Sequence, residues 1–254
     1  MRVGPGWREA VYKSYLFLEK IMAPGLRNAQ FEYLETLRPC AGQQALWLEA
    51  GCGRQLIPNR MAEAEKQAQE LTMRCAVVVG VDADERSVRA NRALRLKAVS
   101  RVEKLPFADR SFTLVSANMV LEHLADPGAF LAEAHRVLQE RGALVFHTPN
   151  RLNYRAMVAR ALPHRVKLWL ANLLHGRGEG EVYPSFYRLN TSAAIEENAE
   201  RRGFVVAELK LVESTAETAA LGPLALPELI TIQVLRFESL KAYRANIIGV
   251  LVKK

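Results

Sequence analysis

The 254-residue chain is poor in cysteine, and its three cysteines are dispersed. Cys40, Cys52 and Cys75 form no CxxC pair and no histidine cluster accompanies them. This argues against a disulfide scaffold or a structural zinc site and points to a reduced, cytoplasmic protein. No run approaches the ~20 apolar residues that a membrane span needs. The opening MRVGPGWREAVYKSYLFLEK has neither a continuous apolar centre nor a small-residue cleavage site, so no secretory leader is expected. There is no internal repeat and no low-complexity tract. Acid is missing altogether from Arg141 to Gly178, where Arg141, Arg151, Arg155, Arg160, Arg165, Lys167 and Arg177 supply seven bases. They account for nearly all of the formal net charge of +8. Such a field attracts anionic partners or simply keeps a helix face in water.

Half of the residues are hydrophobic and 24% are charged, a balance that supports a folded core rather than wholesale disorder. Residues 7–38 read as two helical pieces split at Pro24-Gly25. Residues 45–48 form a short apolar strand that ends at Glu49 and a glycine turn. A helix-favouring segment, 59–73, precedes a buried-type strand over 76–81 and Asp82. The pattern continues with a helix from 84 to 97, a strand over 112–116, a helix from Pro127 to Gln139 stopped by Gly142, and a strand over 143–147. Beyond Pro149 comes a basic amphipathic stretch, 154–174, broken at Pro163. A glycine- and aromatic-rich loop follows, then a helix capped by Asn190 or Thr191 and closed by Gly203, with final strands over 204–212 and 246–253. Alternating strands and helices, with continuously apolar strands, predict an α/β fold: a doubly wound, Rossmann-like, mostly parallel sheet covered on both faces. A single domain is expected. Residues 1–44 would form a helical cap, 45–150 the ligand-binding core, 151–190 a basic insertion, and 191–254 the end of the sheet.

Two features carry chemistry. In LWLEAGCGR a strand runs into Glu49, and Gly51 and Gly53 follow two residues apart. Glycine serves where backbone turns sharply and a ligand approaches closely. A dinucleotide fingerprint would place a third glycine or alanine at position 56, but Leu56 stands there, which lowers the NAD or FAD reading. Asp82, at the end of the next strand, occupies the place where such folds offer an acid to ribose hydroxyls; it could equally cap the next helix, as could Asp84.

LEAGCGR, VGVDAD, EKLPFADRSFTLVSANMVLEHLADP, RVLQERGALVFHTPN and the late RRGF together resemble the class I S-adenosylmethionine-dependent methyltransferases, closest to the broad type 11 set. The resemblance covers Ala45 to Asn150 and, less specifically, Asn190 to Lys254. It implies a seven-stranded sheet with only the last strand antiparallel, and S-adenosyl-L-methionine as cofactor. Glu49, Gly51, Cys52 and Gly53 would underlie the methionine part of the cofactor. Asp82 would take the ribose hydroxyls with Ala83 beside the adenine. Val102 would offer backbone to the adenine, and Asn118 with Met119 would line the methyl-donor pocket. Two positions depart from the family pattern: Gln55 where a third glycine is common, and Arg101 where an adenine-binding acid is common. Arginine cannot accept a hydrogen bond, so either Glu103 takes that role or adenine is held by backbone and packing.

The implied reaction is methyl transfer by in-line displacement, which needs alignment and exclusion of water but no metal. An oxygen or nitrogen acceptor needs a base, for which His123 is the first candidate and His147 the second. Tyr183, Phe186, Tyr187 and Arg188 are candidates for the acceptor site, although aromatic packing alone would explain the first three. The expected acceptor is a small molecule, lipid-linked or saccharide-like, and anionic if the basic excess recognises it. The basic stretch with Trp169 could rest on an anionic membrane or pack on the domain. An RNA methyltransferase is the second enzymatic reading, but no RNA-binding module or aromatic-basic stacking platform is visible. A non-catalytic binding protein on the same fold is the third.

Overall fold

Continuous apolar segments too short to be helices drive the chain into a central sheet. The computed structural model describes residues 5–57, 61–161 and 184–254. Its strands are β1 (Leu46–Ala50), β2 (Val77–Asp82), β3 (Leu96–Val99), β4 (Phe112–Asn118), β5 (Leu138–Pro149), β6 (Phe204–Val212) and β7 (Asn246–Lys253). They form one seven-stranded sheet in the order β3-β2-β1-β4-β5-β7-β6. β1 to β5 pair in parallel. β7 runs the other way: Asn150 N–H, just after β5, donates to Ala245 O just before β7 (2.8 Å), and Lys254 N–H at the far end reaches Gly203 O (3.1 Å). This is the expected mixed sheet.

The described helices are α1 (Pro5–Met22), α2 (Ala29–Leu37), α3 (Ala62–Arg74), α4 (Glu85–Ala90), α5 (Pro127–Val137), α6 (Tyr154–Ala161), α7 (Ser192–Arg201) and α8 (Leu226–Leu235). Their starts follow local chemistry. Asp126 accepts from Ala129 N–H ahead of Pro127, and Thr191 accepts from Ala194 N–H. No helix among the described residues is long and apolar enough to cross a membrane. The basic stretch around Trp169 lies outside the described residues.

By packing, the chain divides into two units. One comprises residues 30–149, 185–210 and 247–254. Its core lies on both faces of the sheet: Trp47, Leu48, Leu114, Leu144, Val145, Phe146, Ile247 and Ile248 are buried, and Phe130, Leu131 and Ala134 of α5 are buried with them. The other comprises residues 1–29, 150–184 and 211–246. There Tyr15, Ala216, Ala225, Leu229 and Ile232 form a small core. A polar knot also holds it: Arg155 reaches Glu228 (3.0 Å) and Thr215 O (3.1 Å), and Tyr154 donates to the same carboxylate (2.8 Å).

Two expected boundaries are corrected. The helix read as 84–97 ends at Ala90, and Leu96–Val99 is the edge strand β3, paired with β2 from Val79↔Leu96 onward. The Asn91 side chain forces this, because its Oδ1 accepts from Ala93 and Leu94 N–H (3.0 and 3.1 Å) and turns the chain back toward the sheet. The helix read as ending at Gln139 stops at Val137, where β5 begins. Lys253 Nζ holds the carbonyls of both His135 and Leu138 (2.9 Å each). Gly142 lies in an irregularity of β5, where pairing jumps from Phe112↔Leu138 to Leu114↔Ala143.

Truncating the fully buried Phe130 to alanine should cost about 3–5 kcal/mol of unfolding free energy, measured by urea denaturation. The same change at the exposed Met73 should cost less than about 0.5 kcal/mol.

Candidate functional site

The chain leaves β1 for β2 and β3 on one side of the sheet and returns to β4 on the other. Between β1 and β4 the winding therefore reverses, and in such sheets ligands bind beyond the carboxyl ends of strands at that reversal. Pairing of Ala50 with both Val81 and Ala117 aligns those ends.

The turn after β1 is tightly prescribed. Gly51 has φ +74° and Gly53 φ +48°, values that glycine adopts without strain. A Cβ on Gly51 would also collide with Val120. The N–H groups of Gly51 and Cys52 donate to Val81 O (2.8 and 2.9 Å). Asp82 then uses both carboxylate oxygens on backbone, taking Gly53 N–H (2.9 Å) and Asp84 N–H (2.8 Å). From the other side Asn91 donates to Cys52 O and Gly53 O (2.9 and 3.1 Å). Cys52 is buried, and burial, with the nearby Asp82 carboxylate, pushes its thiol up to about 12, so it is a packing group and not a nucleophile.

Glu49 is buried at the end of β1 and accepts from Ser116 Oγ, which in turn accepts from Trp47 Nε1. Loss of water pushes its carboxyl up to about 7, against the downward pull of the hydrogen bonds. No ion pair reaches it among the described residues. The Tyr33 phenol is also buried, and burial together with the Glu49 charge holds it well above the usual range.

The end of β4 is fixed in the same manner. Asn118 donates to Gln30 Oε1 (2.9 Å) and Leu56 O (3.2 Å), and its Oδ1 lies 2.9 Å from His147 Nδ1. Met119 follows in the left-handed region (φ 58°), with its N–H on His147 O (2.8 Å). After β3, Ser100 N–H donates to Asp82 O (2.9 Å), which brings the buried Val102 to this end of the sheet. Ala83 is exposed beside Asp82.

The two departures from the family pattern are spent locally. Gln55 donates its amide to Ile57 O within its own loop. Arg101 faces solvent, 72% exposed, and pairs with Glu103 (3.3 Å). The following Leu105–Phe107 segment is held by Arg136, whose guanidinium takes Leu105 O (3.0 Å) and Phe107 O (2.7 Å), while Glu133 accepts Leu105 N–H (2.7 Å).

The remaining candidates form a second cluster on a short 3-10 turn, Leu121–His123. His123 is half-buried, with Nδ1 3.4 Å from Ser185 Oγ and Nε2 3.8 Å from Glu122 Oε1. The Glu122 carbonyl takes Phe186 and Tyr187 N–H (2.7 and 3.2 Å), and Arg188 donates to Ala125 O. Thr148 donates to the Glu122 carboxylate (3.0 Å) and accepts from Asn190 (2.6 Å). Burial raises the Glu122 carboxyl from its ordinary value. Tyr183 lies outside the described residues. His147 is turned inward on Asn118, and its ring lies tilted against Tyr33, with centroids 5.8 Å apart.

Gln30, Asn91, Glu122, Arg136 and Thr148 were not singled out in the sequence, and Asn190 was read there only as a helix cap, a role that Thr191 takes. Each acts over long separations, and a polar residue in a loop carries no local mark of such a partner. The Glu-His dipeptide in LEHL was the one available signal.

Glu49 has a sign that can be checked. Its carboxyl is raised in the fold, so the native state binds the extra proton between about 4.5 and about 7. Stability of the unliganded protein from this group is therefore present at acid pH and is lost as pH rises through that window. Glu49→Gln should flatten this part of the curve of unfolding free energy against pH, measured by urea denaturation.

Comparison with known proteins agrees with this geometry. Residues 48–146 match the family model described as a methyltransferase domain. A probable S-adenosylmethionine-dependent methyltransferase of Mycolicibacterium smegmatis is 31% identical over 131 residues, 50% of this chain and 46% of that protein. The chain thus spans about half the length of that relative. A ubiquinone biosynthesis O-methyltransferase of Idiomarina loihiensis is 28% identical over 177 residues, 63% of this chain and 68% of that protein. The crystal structure of an S-adenosylmethionine-dependent methyltransferase from Mesorhizobium loti has the same fold, with a TM-score of 0.57 and 19% identity over 89% of this chain and 98% of that one. In its glycine turn, its acid-tipped second strand and its sheet order, the chain resembles the class I S-adenosylmethionine-dependent methyltransferases, and residues 48–146 match the methyltransferase-domain family model.

Proposed function

We propose that the protein transfers a methyl group from S-adenosyl-L-methionine to a small-molecule, lipid-linked or saccharide-like acceptor. The observation that carries this reading is the buried Glu49 carboxylate at the winding reversal, raised by burial and without a cationic partner among the described residues. A ligand bearing an ammonium and a sulfonium supplies the charge that this carboxylate lacks. The donor set fits that ligand: Glu49 and the turn at Gly51, Cys52 and Gly53 for its amino-acid end, Asp82 and Ala83 for its ribose and adenine, backbone at Val102 for the adenine edge, and Asn118 with Met119 near the methyl. The relative named for ubiquinone biosynthesis O-methylation supports a small-molecule acceptor.

When bound, the cofactor supplies an already activated methyl on a positive sulfur. The residues of the chain have three tasks: to hold the donor in line with the acceptor, to exclude water, and to take a proton where the acceptor atom carries one. An acceptor oxygen or nitrogen that took this methyl would have to give up its proton to a base on the chain. His123 is assigned that proton, with Glu122 behind it as a positioning residue that also anchors the 185–187 loop. Tyr187 and Arg188, held to the same turn, are assigned to the acceptor side.

Calorimetric titration with S-adenosyl-L-methionine tests the first part. Binding should tighten as pH rises through about 7, because the cation selects the ionised Glu49. Glu49→Gln should weaken binding and remove that dependence, and Asp82→Ala should weaken it by at least about tenfold. Absence of any binding heat by the wild-type protein would refute the reading. Once an acceptor is found by labelled-methyl transfer to extract, His123→Ala should lower kcat by about 10²-fold or more with cofactor affinity unchanged. Undiminished turnover would remove His123 from the mechanism and leave the cofactor site standing.

A further inference from the structure

Helix α1 is apolar on two sides, and the described residues of its own unit cover only one of them. Tyr15, fully buried, packs with Leu18 and Met22 against Ala216, Ala225, Leu229 and Ile232. On the other side run two parallel rows at four-residue spacing, Tyr12-Leu16-Lys20 and Lys13-Phe17-Ile21. All six residues are exposed. Tyr12 is 47%, Leu16 42%, Phe17 66% and Ile21 61% accessible. A helix face this apolar is not left to water without a use.

The charges on the face identify what covers it. Each row carries one lysine; one turn earlier Arg8 and Glu9 offset one another in charge, and Glu19 is half-buried on the Tyr15 hydroxyl, so the rows are net positive. A second copy of the chain would meet the face with the same face, since a two-fold interface is self-complementary, and would set lysines against lysines. An anionic lipid surface answers both halves of the pattern. The aromatic and aliphatic side chains enter the headgroup boundary, while the lysine stems lie along it and place their ammonium groups among the phosphates. The chain's net charge of +8 adds long-range attraction to the same surface. The same unit exposes a second apolar row on α8, Leu226, Ile230 and Val234, whose neighbours Leu229 and Ile232 pack on Tyr15.

We propose that the outer face of α1 docks the protein on an anionic membrane surface. The proposal stands independently of the methyl-transfer reading and adds to it a location in which an apolar acceptor would be met. The test is co-sedimentation of the full chain with vesicles of phosphatidylcholine alone and of phosphatidylcholine mixed with phosphatidylglycerol. Binding is expected to the mixed vesicles and to fall between about 50 and about 500 mM salt. Phe17→Ser/Ile21→Ser should lower the partition coefficient by about tenfold or more. Lys13→Gln/Lys20→Gln, which touches no apolar side chain, should lower it by a similar factor and reduce its salt dependence. Circular dichroism of both variants should match the wild type, since the buried row is intact. Failure of the wild type to bind mixed vesicles, equal binding by the lysine variant, or light scattering that shows a dimer dispersed by Phe17→Ser/Ile21→Ser would each overturn the proposal.

Discussion

The Asp82 carboxylate holds the turn after β1 to the end of β2, with one oxygen on Gly53 N–H and the other on Asp84 N–H. Most of the candidate site depends on this double contact. It is possible only because parallel pairing in register brings Ala50 level with Val81, and because Gly51 and Gly53 accept left-handed backbone. Asn91 completes the restraint by taking the carbonyls of the same turn. The result is a loop whose polar groups are organised before any ligand arrives, so little ordering entropy remains to be lost on binding.

Beneath that turn lies the opposite situation. Glu49 is stripped of water, supported among the described residues by Ser116 and, through it, by Trp47, and its proton is correspondingly hard to remove. In a medium of low polarisability a charge without an opposite charge is costly, and a carboxyl answers by keeping its proton. A rigid turn above an unsatisfied acid favours a cation with a polar tail over a neutral ligand. The polar residues at the ends of β4 and β5 extend the same order outward. Asn118, Gln30 and His147 hold one another, and Thr148 and Asn190 hold Glu122. His123 and the 185–188 loop are thereby set on a buried frame and not on a free loop.

The helical unit is governed by a different balance. Its core is small and is supplemented by the Arg155, Tyr154 and Glu228 knot, in which a half-buried guanidinium is matched by carboxylate and carbonyl oxygens. Such a unit leaves α1 with apolar side chains in excess of what its own core can bury. Lysines among those side chains keep the face compatible with water and with negative charge. The sheet-bearing unit, in contrast, buries its large apolar side chains between helices and strands and exposes chiefly edge residues such as Leu96 and Val99 of β3.

Alternation of apolar strands with capped helices was sufficient to read the α/β class, the placement of Glu49 and Asp82 at strand ends, and the glycine turn, because these depend on local periodicity and on the backbone freedom of single residues, whereas Asn118 was pointed to by the family resemblance alone. The boundaries that failed did so where a distant or side-chain contact overrode propensity: Asn91 ended α4 early and released β3, and Lys253 held the carbonyls where α5 gives way to β5. The sequence by itself thus determined which segments are strands and helices, β3 excepted, and which residue types stand at the ends of β1 and β2. Only the tertiary structure decided that Arg101 faces water, that Gln55 closes on its own loop, that Glu122 backs His123, and that the described residues leave one side of α1 exposed. Those outcomes turn on hydrogen bonds and burial between residues far apart in the chain, and neither periodicity nor residue type encodes such distances.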